Sequence, residues 1–282
     1  MQIRRKPHWL QKKVSPTDHA AMDRLLGSLR LNTVCREASC PNISECFRQK
    51  QATLLIMGKE CTRSCSFCNV SANLPSPLDP DEPGRVAAAV TALELQHVVI
   101  TSPTRDDLAD GGSGHFAATV KAIRAVSPET VIELLVPDFQ GSLQSLAVVT
   151  AAQPDILGHN IETVPRLYSI RAGADYRRSL DLLTAARESA PEIPTKTGLM
   201  LGLGESSAEV IATLIDIRAT GCAYLSIGQY LAPSRNHYPV AAFIEPAEFD
   251  RYRAEAVALG FVHVESAPYV RSSYHADRYR QN

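Results

Sequence analysis

Six of the seven cysteines in this 282-residue chain fall in two short triplets, Cys35-x4-Cys40-x5-Cys46 and Cys61-x3-Cys65-x2-Cys68, with fourteen residues between them. Thiolates this close together on irregular chain can converge on one inorganic core, and iron–sulfur clusters are held by cysteines at such local spacings. Two triplets predict two clusters. A structural zinc site closes its tetrahedron with four protein ligands drawn from Cys and His. Here each triplet lacks a nearby fourth, the next histidine after the second being His97 inside an apolar run. Disulfides are disfavoured in a cytosolic-type chain, where thiols stay reduced. A three-cysteine cubane leaves one iron open, and in catalytic metal sites the open position is where chemistry happens.

The bulk properties narrow the class. A hydrophobic content of 45% over 282 residues supports one domain with a full core. A net charge of −1 and a pI near 6.7 leave no field of one sign, so no nucleic-acid partner is expected. The segment Met1 to Leu10 has basic residues but no apolar core of a signal peptide, and no apolar run approaches about eighteen residues, so no membrane association is expected. The expectation is a soluble cytoplasmic protein. Arg4, Arg5, Lys6, Lys12 and Lys13 read as a solvated charge run, with a small basic docking surface as the alternative.

Beyond the triplets, short β-rich runs alternate with amphipathic ones, the pattern of repeated βα units around a parallel sheet. Strands are expected at Thr53–Met57, His97–Thr101, Val131–Val136, Ile156–Asn160, Thr195–Leu201 and Tyr224–Gly228. Helices are expected at Glu82–Leu95, after the Asp79-Pro80-Asp81 start signal, and at His115–Ser127, Ser142–Ala151, Ala174–Ala190, Ser206–Thr220 and Pro246–Leu259. Six repeats predict an α/β fold, a partial (β/α)6 barrel of the TIM type, whose right-handed crossovers place functional loops at the carboxyl ends of the strands. The expected division is an N-terminal extension, 1–52, carrying the first triplet; a barrel, 53–260; and a C-terminal extension, 261–282.

The second triplet, with Phe67 just before Cys68, resembles the signature of the radical S-adenosylmethionine (SAM) superfamily. Read with Leu31 to Cys46, with Arg105-Asp106-Asp107-Leu108-Ala109-Asp110-Gly111-Gly112 and with Arg271-Ser272-Ser273-Tyr274, it resembles lipoyl synthase over most of the chain. The Cys-x4-Cys-x5-Cys triplet upstream separates that family from relatives such as biotin synthases. The resemblance implies two [4Fe–4S] clusters, an auxiliary one on Cys35, Cys40 and Cys46, and one on Cys61, Cys65 and Cys68 that binds SAM. It implies a serine of Arg271–Tyr274 as fourth ligand of the auxiliary cluster, Ser273 with Ser272 as the fallback; taken alone the segment reads as an ordinary tail. An alkoxide is harder than a thiolate and less suited to iron–sulfur chemistry, so its iron can be released while three thiolates hold the rest.

Further site residues follow from the same resemblance. Asp110, Gly111 and Gly112 lie where such enzymes carry backbone that meets the methionine amino group, with a plain turn as the competing reading. Asn160 and Glu162 are placed at the rim facing SAM or substrate, and Lys196 is a candidate contact to the SAM carboxylate or ribose, with a snorkelling lysine as its alternative. Arg171, Tyr176 and Arg177 are candidates around an octanoyl tunnel. Cys222 reads as a small buried hydrophobe, and no histidine is assigned to a metal. Departures from the family pattern, such as Phe47 and Thr197, remove no ligand.

The activity implied is insertion of two sulfur atoms at C6 and C8 of a protein-bound octanoyl group, the auxiliary cluster being the sulfur donor. Its implied partners are octanoylated lipoyl carrier domains of 2-oxoacid dehydrogenase complexes or the glycine cleavage H protein, and a reduced ferredoxin or flavodoxin type electron donor. Two other readings stay open: a radical SAM enzyme whose auxiliary cluster only conducts electrons, and a zinc-stabilised scaffold in which both triplets are structural.

Overall fold

The computed structural model describes residues 6–11, 20–48 and 51–280. Of the basic run, Arg4, Arg5, Lys12 and Lys13 lie outside these, whereas Lys6 is described and exposed. The helix α1 (Ala20–Ser28) is followed by a short strand β1 (Asn32–Thr33), then α2 (Val34–Glu37) and α3 (Ile43–Arg48). The parallel strands are β2 (Thr53–Leu55), β5 (His97–Thr101), β6 (Val131–Leu135), β7 (Ile156–Gly158), β8 (Thr195–Leu201), β9 (Tyr224–Gln229) and β10 (His263–Ser266). A two-stranded pair, β3 (Glu60–Cys61) and β4 (Ser71–Ala72), brackets the second triplet. Between the parallel strands run α4 (Glu82–Ala92), α5 (Ser113–Val126), α6 (Leu143–Ala151), α7 (Tyr176–Ser189), α8 (Ser207–Ala219) and α9 (Pro246–Ala258).

The sheet order is β1-β2-β5-β6-β7-β8-β9-β10, with β1 antiparallel to β2 and every other pair parallel. The expected partial barrel is present. It carries one more parallel strand than the six expected, because His263–Ser266 pairs with β9 from within the segment assigned to the C-terminal extension. Four residues with two polar members do not stand out as a strand; the parallel register to Tyr224–Ile227 forms it.

Strand alternation sorts the side chains. On β8, Thr197, Leu199 and Leu201 face outward, where Leu199 and Leu201 join a core with Leu214 and Ile217 of α8, while Lys196, Gly198 and Met200 face the barrel interior. On β9, Leu225 and Ile227 join the same core, leaving Tyr224, Ser226 and Gly228 inside. A second core unites α4 and α5 with β2 and β5 through Val86, Val90, Phe116, Val120, Leu54, Val98 and Ile100. Helix caps set the crossovers, most fully at α8, where Ser206 and Glu209 form a reciprocal capping box. The apolar outer layer stabilises the sheet and leaves its concave face free for polar side chains.

Candidate active site

The first triplet rides on the two short helices that follow β1. Thr33 accepts a hydrogen bond from the Arg36 N–H at 3.3 Å and starts α2, and the antiparallel register of Thr33 with Leu54 fixes Cys35 beside the first barrel strand. Asn42 Nδ2 donates to the Tyr269 carbonyl at 2.7 Å, tying the triplet to chain more than two hundred residues on. The second triplet occupies the loop after β2. Arg63, between Cys61 and Cys65, donates through Nε to Asp106 at 2.7 Å and through Nη2 to Asp138 at 2.7 Å, and Asp138 also takes Arg178 at 2.8 Å. Backbone bonds Thr62 to Thr104, Ser66 to Ile170 and Tyr238 to Ser66 fasten the loop to three others. Asn69 Nδ2 reaches the Glu37 carbonyl at 2.7 Å, joining the two triplets' loops.

Both triplets open on one chamber at the carboxyl ends of the strands. A cavity of about 330 Å³ is bordered by Cys35, Cys40, Cys61, Cys65 and Cys68, with Asn160, Glu162, Arg171, Ser272 and Ser273 around it. That volume is within the range of small-molecule sites. A small adjoining cavity gathers Cys35, Cys40, Cys46, Arg271 and Ser273. Ser273 therefore faces the first triplet, and Thr53 Oγ1 donates to its oxygen at 2.6 Å. Ser272 does not border that smaller cavity; its hydroxyl and the Asn160 amide exchange hydrogen bonds at 2.7 and 3.0 Å. The two serines thus point to different partners.

The donor set suits iron–sulfur clusters. Burial pushes the Cys35 and Cys68 thiols up to about 11, and raises Cys65. Such thiols are neutral near neutral pH and need a bound cation to hold them as thiolates. Among the described residues no three His, Cys, Asp or Glu side chains converge on a single ion, whereas each cysteine of a cubane meets a different iron. The Arg271 guanidinium is buried against Cys40, and burial lowers its pKa while the Cys40 thiolate would raise it. An anionic cluster held by Cys40 would supply a counter-charge there.

Other polar groups line the chamber. Glu162 is a non-glycine residue at φ 70°, a strained conformation held by its N–H to the Gly198 carbonyl at 2.9 Å. Burial raises its pKa, opposed by Arg171 and by Asn160, whose Nδ2 donates at 3.0 Å. Arg171 Nη1 donates to the Asn160 carbonyl at 3.0 Å and to Tyr168. Next to β7, His159 is buried with Nδ1 on the Val136 carbonyl at 2.9 Å and Nε2 unpartnered; burial, with Arg171, lowers its pKa to about 4.

Several expectations fall elsewhere. Lys196 does not border the chamber: its Nζ is paired with Glu133 at 2.9 Å near the amino ends of the strands, so it is no snorkelling surface lysine and is placed away from a SAM contact. Asp110 caps α5, accepting from the Gly112 and Gly114 N–H groups at 2.9 Å each, and those N–H groups hold its pKa low against burial. Gly111 and Gly112 face Phe139 and Met57. Helix initiation won over ligand approach there, and Thr101, Ser102 and Pro103 line the chamber instead. Ser102, with a buried unpartnered hydroxyl, was missed because nothing in its local sequence marks it. Tyr176 donates to Asp216 at 2.9 Å and Arg177 pairs with Asp181 on the surface of α7, both away from the chamber. Cys222 is fully buried in the outer core.

The sequence pattern of the radical SAM superfamily matches residues 55–217. Lipoyl synthase of Geotalea uraniireducens (strain Rf4) is 64% identical over 279 residues, covering 99% of each chain. Lipoyl synthase of Geobacter sulfurreducens is 65% identical over 279 residues, 99% of this chain and 92% of that protein. Lipoyl synthase of Alkaliphilus metalliredigens is 52% identical over 278 residues, 98% and 96% respectively. Among solved structures, methylornithine synthase superposes with a TM-score of 0.56 at 14% identity over 93% of this chain and 83% of that one. Coproporphyrinogen III oxidase from Escherichia coli, a radical SAM enzyme, gives 0.53 at 17% identity over 80% and 57%. These structures speak to the fold alone, and the sequence relatives to the family: the chain belongs to the lipoyl synthases of the radical SAM superfamily.

Proposed function

We propose that Cys61, Cys65 and Cys68 hold the [4Fe–4S] cluster that binds S-adenosylmethionine, and that Cys35, Cys40, Cys46 and Ser273 hold a second, sulfur-donating [4Fe–4S] cluster. The observation that carries this reading is the shared chamber, which five of the six cysteines and Ser273 border, the sixth, Cys46, lining the cavity next to it. The activity is the family's: two sulfur atoms are inserted at C6 and C8 of a protein-bound octanoyl-lysine to give lipoyl-lysine. When bound and reduced, the first cluster with SAM supplies a 5′-deoxyadenosyl radical able to take hydrogen from an unactivated C–H bond, and the second supplies the sulfur.

The chain's own residues bind, orient and exclude water. Leu55, Leu135, Val34, Phe67 and Val70 are among the apolar residues of the chamber wall, suited to an acyl chain. Asn160, Glu162 and Ser102 offer polar groups to the amino-acid end of SAM, and Arg171 holds the Asn160 carbonyl in place. Arg271 balances the charge of the donor cluster. Ser273 would be a harder ligand than the thiolates and the one most readily exchanged, and Thr53 orients its oxygen.

On this reading residues 1–52 are the donor-cluster extension, 53–260 the radical SAM barrel, to which His263–Ser266 adds its last strand, and the remainder of 261–282 the segment that returns the serine. The substrate's octanoyl arm comes from a lipoyl carrier domain of the 2-oxoacid dehydrogenase complexes or the glycine cleavage H protein, and electrons from a reduced ferredoxin or flavodoxin. Seven unpaired thiols and oxygen-sensitive clusters suit the reducing cytoplasm. No helix among the described residues is long and apolar enough to cross a membrane. The test is mass spectrometry of an octanoylated carrier peptide after anaerobic incubation with the reconstituted protein, SAM and reductant. A gain of two sulfurs is expected, and an unaltered peptide beside SAM cleavage overturns the proposal. A product without loss of cluster sulfide would favour the electron-conducting role for the second cluster.

A further inference from the structure

The C-terminal segment that carries Ser273 crosses the barrel interior without pairing in the sheet, so side chains must fix its place. At one end the chain lies on β9, where a Cβ on Gly228 would stand 2.0 Å from the Val270 carbonyl oxygen, and only glycine leaves room. Ser272 is held by Asn160, and Tyr274 donates to Glu45 at 3.0 Å. At the other end Tyr279 is 1% exposed. Its ring lies over the Lys196 ammonium, 3.7 Å from Nζ to the centroid, and against His263 and Tyr224 at 4.7 and 5.4 Å between centroids.

Beneath that ring Lys196 is paired with Glu133 at 2.9 Å, each side chain 2% exposed. Lys196, Tyr224 and His263 stand at the amino ends of β8, β9 and β10, and neither Lys196 nor Tyr279 borders the chamber; Glu133 also lies 3.4 Å from His97 Nε2, and His97 lines the small cavity of Cys35, Cys40, Cys46 and Ser273. A buried ion pair is weak evidence for stability, since desolvation opposes it, and such groups are retained where they specify one arrangement. An ammonium under an aromatic face fixes that ring more sharply than an apolar floor would.

We propose that Lys196, Glu133 and Tyr279 form a seat that locks the C-terminal strap, so that Ser273, six residues earlier, is presented to Cys35, Cys40 and Cys46. Resting on the reading of Ser273 as a cluster ligand, the inference makes Tyr279 and Lys196 positioning residues that touch neither cluster. Lys196 thus serves the donor cluster at a distance.

Mössbauer spectra of the anaerobically reconstituted holoenzyme test it, with Ser273→Ala as reference. The serine-bound iron should give a distinct doublet that Ser273→Ala removes. Tyr279→Leu should shift or lose that same doublet while the cluster on Cys61, Cys65 and Cys68 keeps its own, and Tyr279→Phe, which keeps the ring, should restore it. The double variant Lys196→Met/Glu133→Leu removes both charges of the pair together, at the loss of the 3.4 Å His97–Glu133 contact, and should reproduce the Tyr279→Leu spectrum. A wild-type doublet in both Tyr279→Leu and the double variant, or equal loss of both clusters, would overturn the seat. A wild-type doublet in Ser273→Ala would instead overturn the ligand reading, and the seat with it.

Discussion

The two cysteine triplets are held in opposite ways. Cys61, Cys65 and Cys68 sit on one loop whose clamps, Arg63 on Asp106 and Asp138, come from the next loops of the barrel. Cys35, Cys40 and Cys46 sit outside the barrel repeats, and their cavity is completed by Arg271 and Ser273 from the far end of the chain. The first arrangement belongs to the barrel and is rigid with it. The second is assembled from both termini, and on the proposed reading it would hold the cluster that is opened to give up sulfur. Permanence and release are thereby assigned to different parts of one chamber.

The largest effect expected from this contrast is at the donor triplet. Cys35→Ala should lower lipoyl formation more than about a hundredfold, exceeding the 10–100-fold typical of outer-shell changes. SAM cleavage should continue, and iron should fall from about eight to about four atoms per chain as one cubane is lost. Product formation at the wild-type rate would break the distinction. Asp138→Asn attacks the other triplet's clamp. Removing the carboxylate leaves Arg63 and Arg178 partly unpaired, at about 3–5 kcal/mol as for broken buried ion pairs. A lower urea midpoint and loss of both SAM cleavage and product are expected; an unchanged midpoint would show that the clamp does not hold the loop.

Acid stability gives a third, smaller handle. His159 ionises near 4 in the folded chain against its ordinary 6.5, so the unfolded chain binds the extra proton first. Its contribution is complete above about pH 6.5 and is lost as pH falls toward 4, at most roughly 3 kcal/mol for a shift of that size. Urea midpoints at neutral and mildly acid pH should fall less for His159→Gln than for wild type, and equal slopes would contradict this. Least is expected at Cys222, buried among Leu225 and Ile217. Cys222→Ala should lower stability by about 1 kcal/mol, as an ordinary core change does, and leave the iron content intact. Iron loss there would give the seventh cysteine a role that its place in the outer core denies it.

What was legible in the sequence follows the same divide. The βα alternation and its helices are local, periodic features, and they appear within a few residues of the expected bounds. The triplets are legible because their ligands lie close in sequence. Ser273 needed the family resemblance, since nothing local marks it, yet the register of β1 on β2 and the Thr53 hydroxyl bring it to the first triplet. Lys196, Asp110 and the two glycines were misplaced for one reason: a residue type names a chemistry but not a strand end. Lys196 is the second residue of β8 and is taken up by Glu133, and Asp110 found unpaired N–H groups at α5.

The most direct test of the account is isotopic. The protein is reconstituted anaerobically with heavy-isotope sulfide, stripped of free sulfide, and given octanoylated carrier peptide, SAM and reductant for a single turnover. The account predicts lipoyl product with both sulfur atoms heavy and a matching loss of sulfide from the cluster on Cys35, Cys40 and Cys46. Product carrying only light sulfur, with that cluster intact, would contradict it.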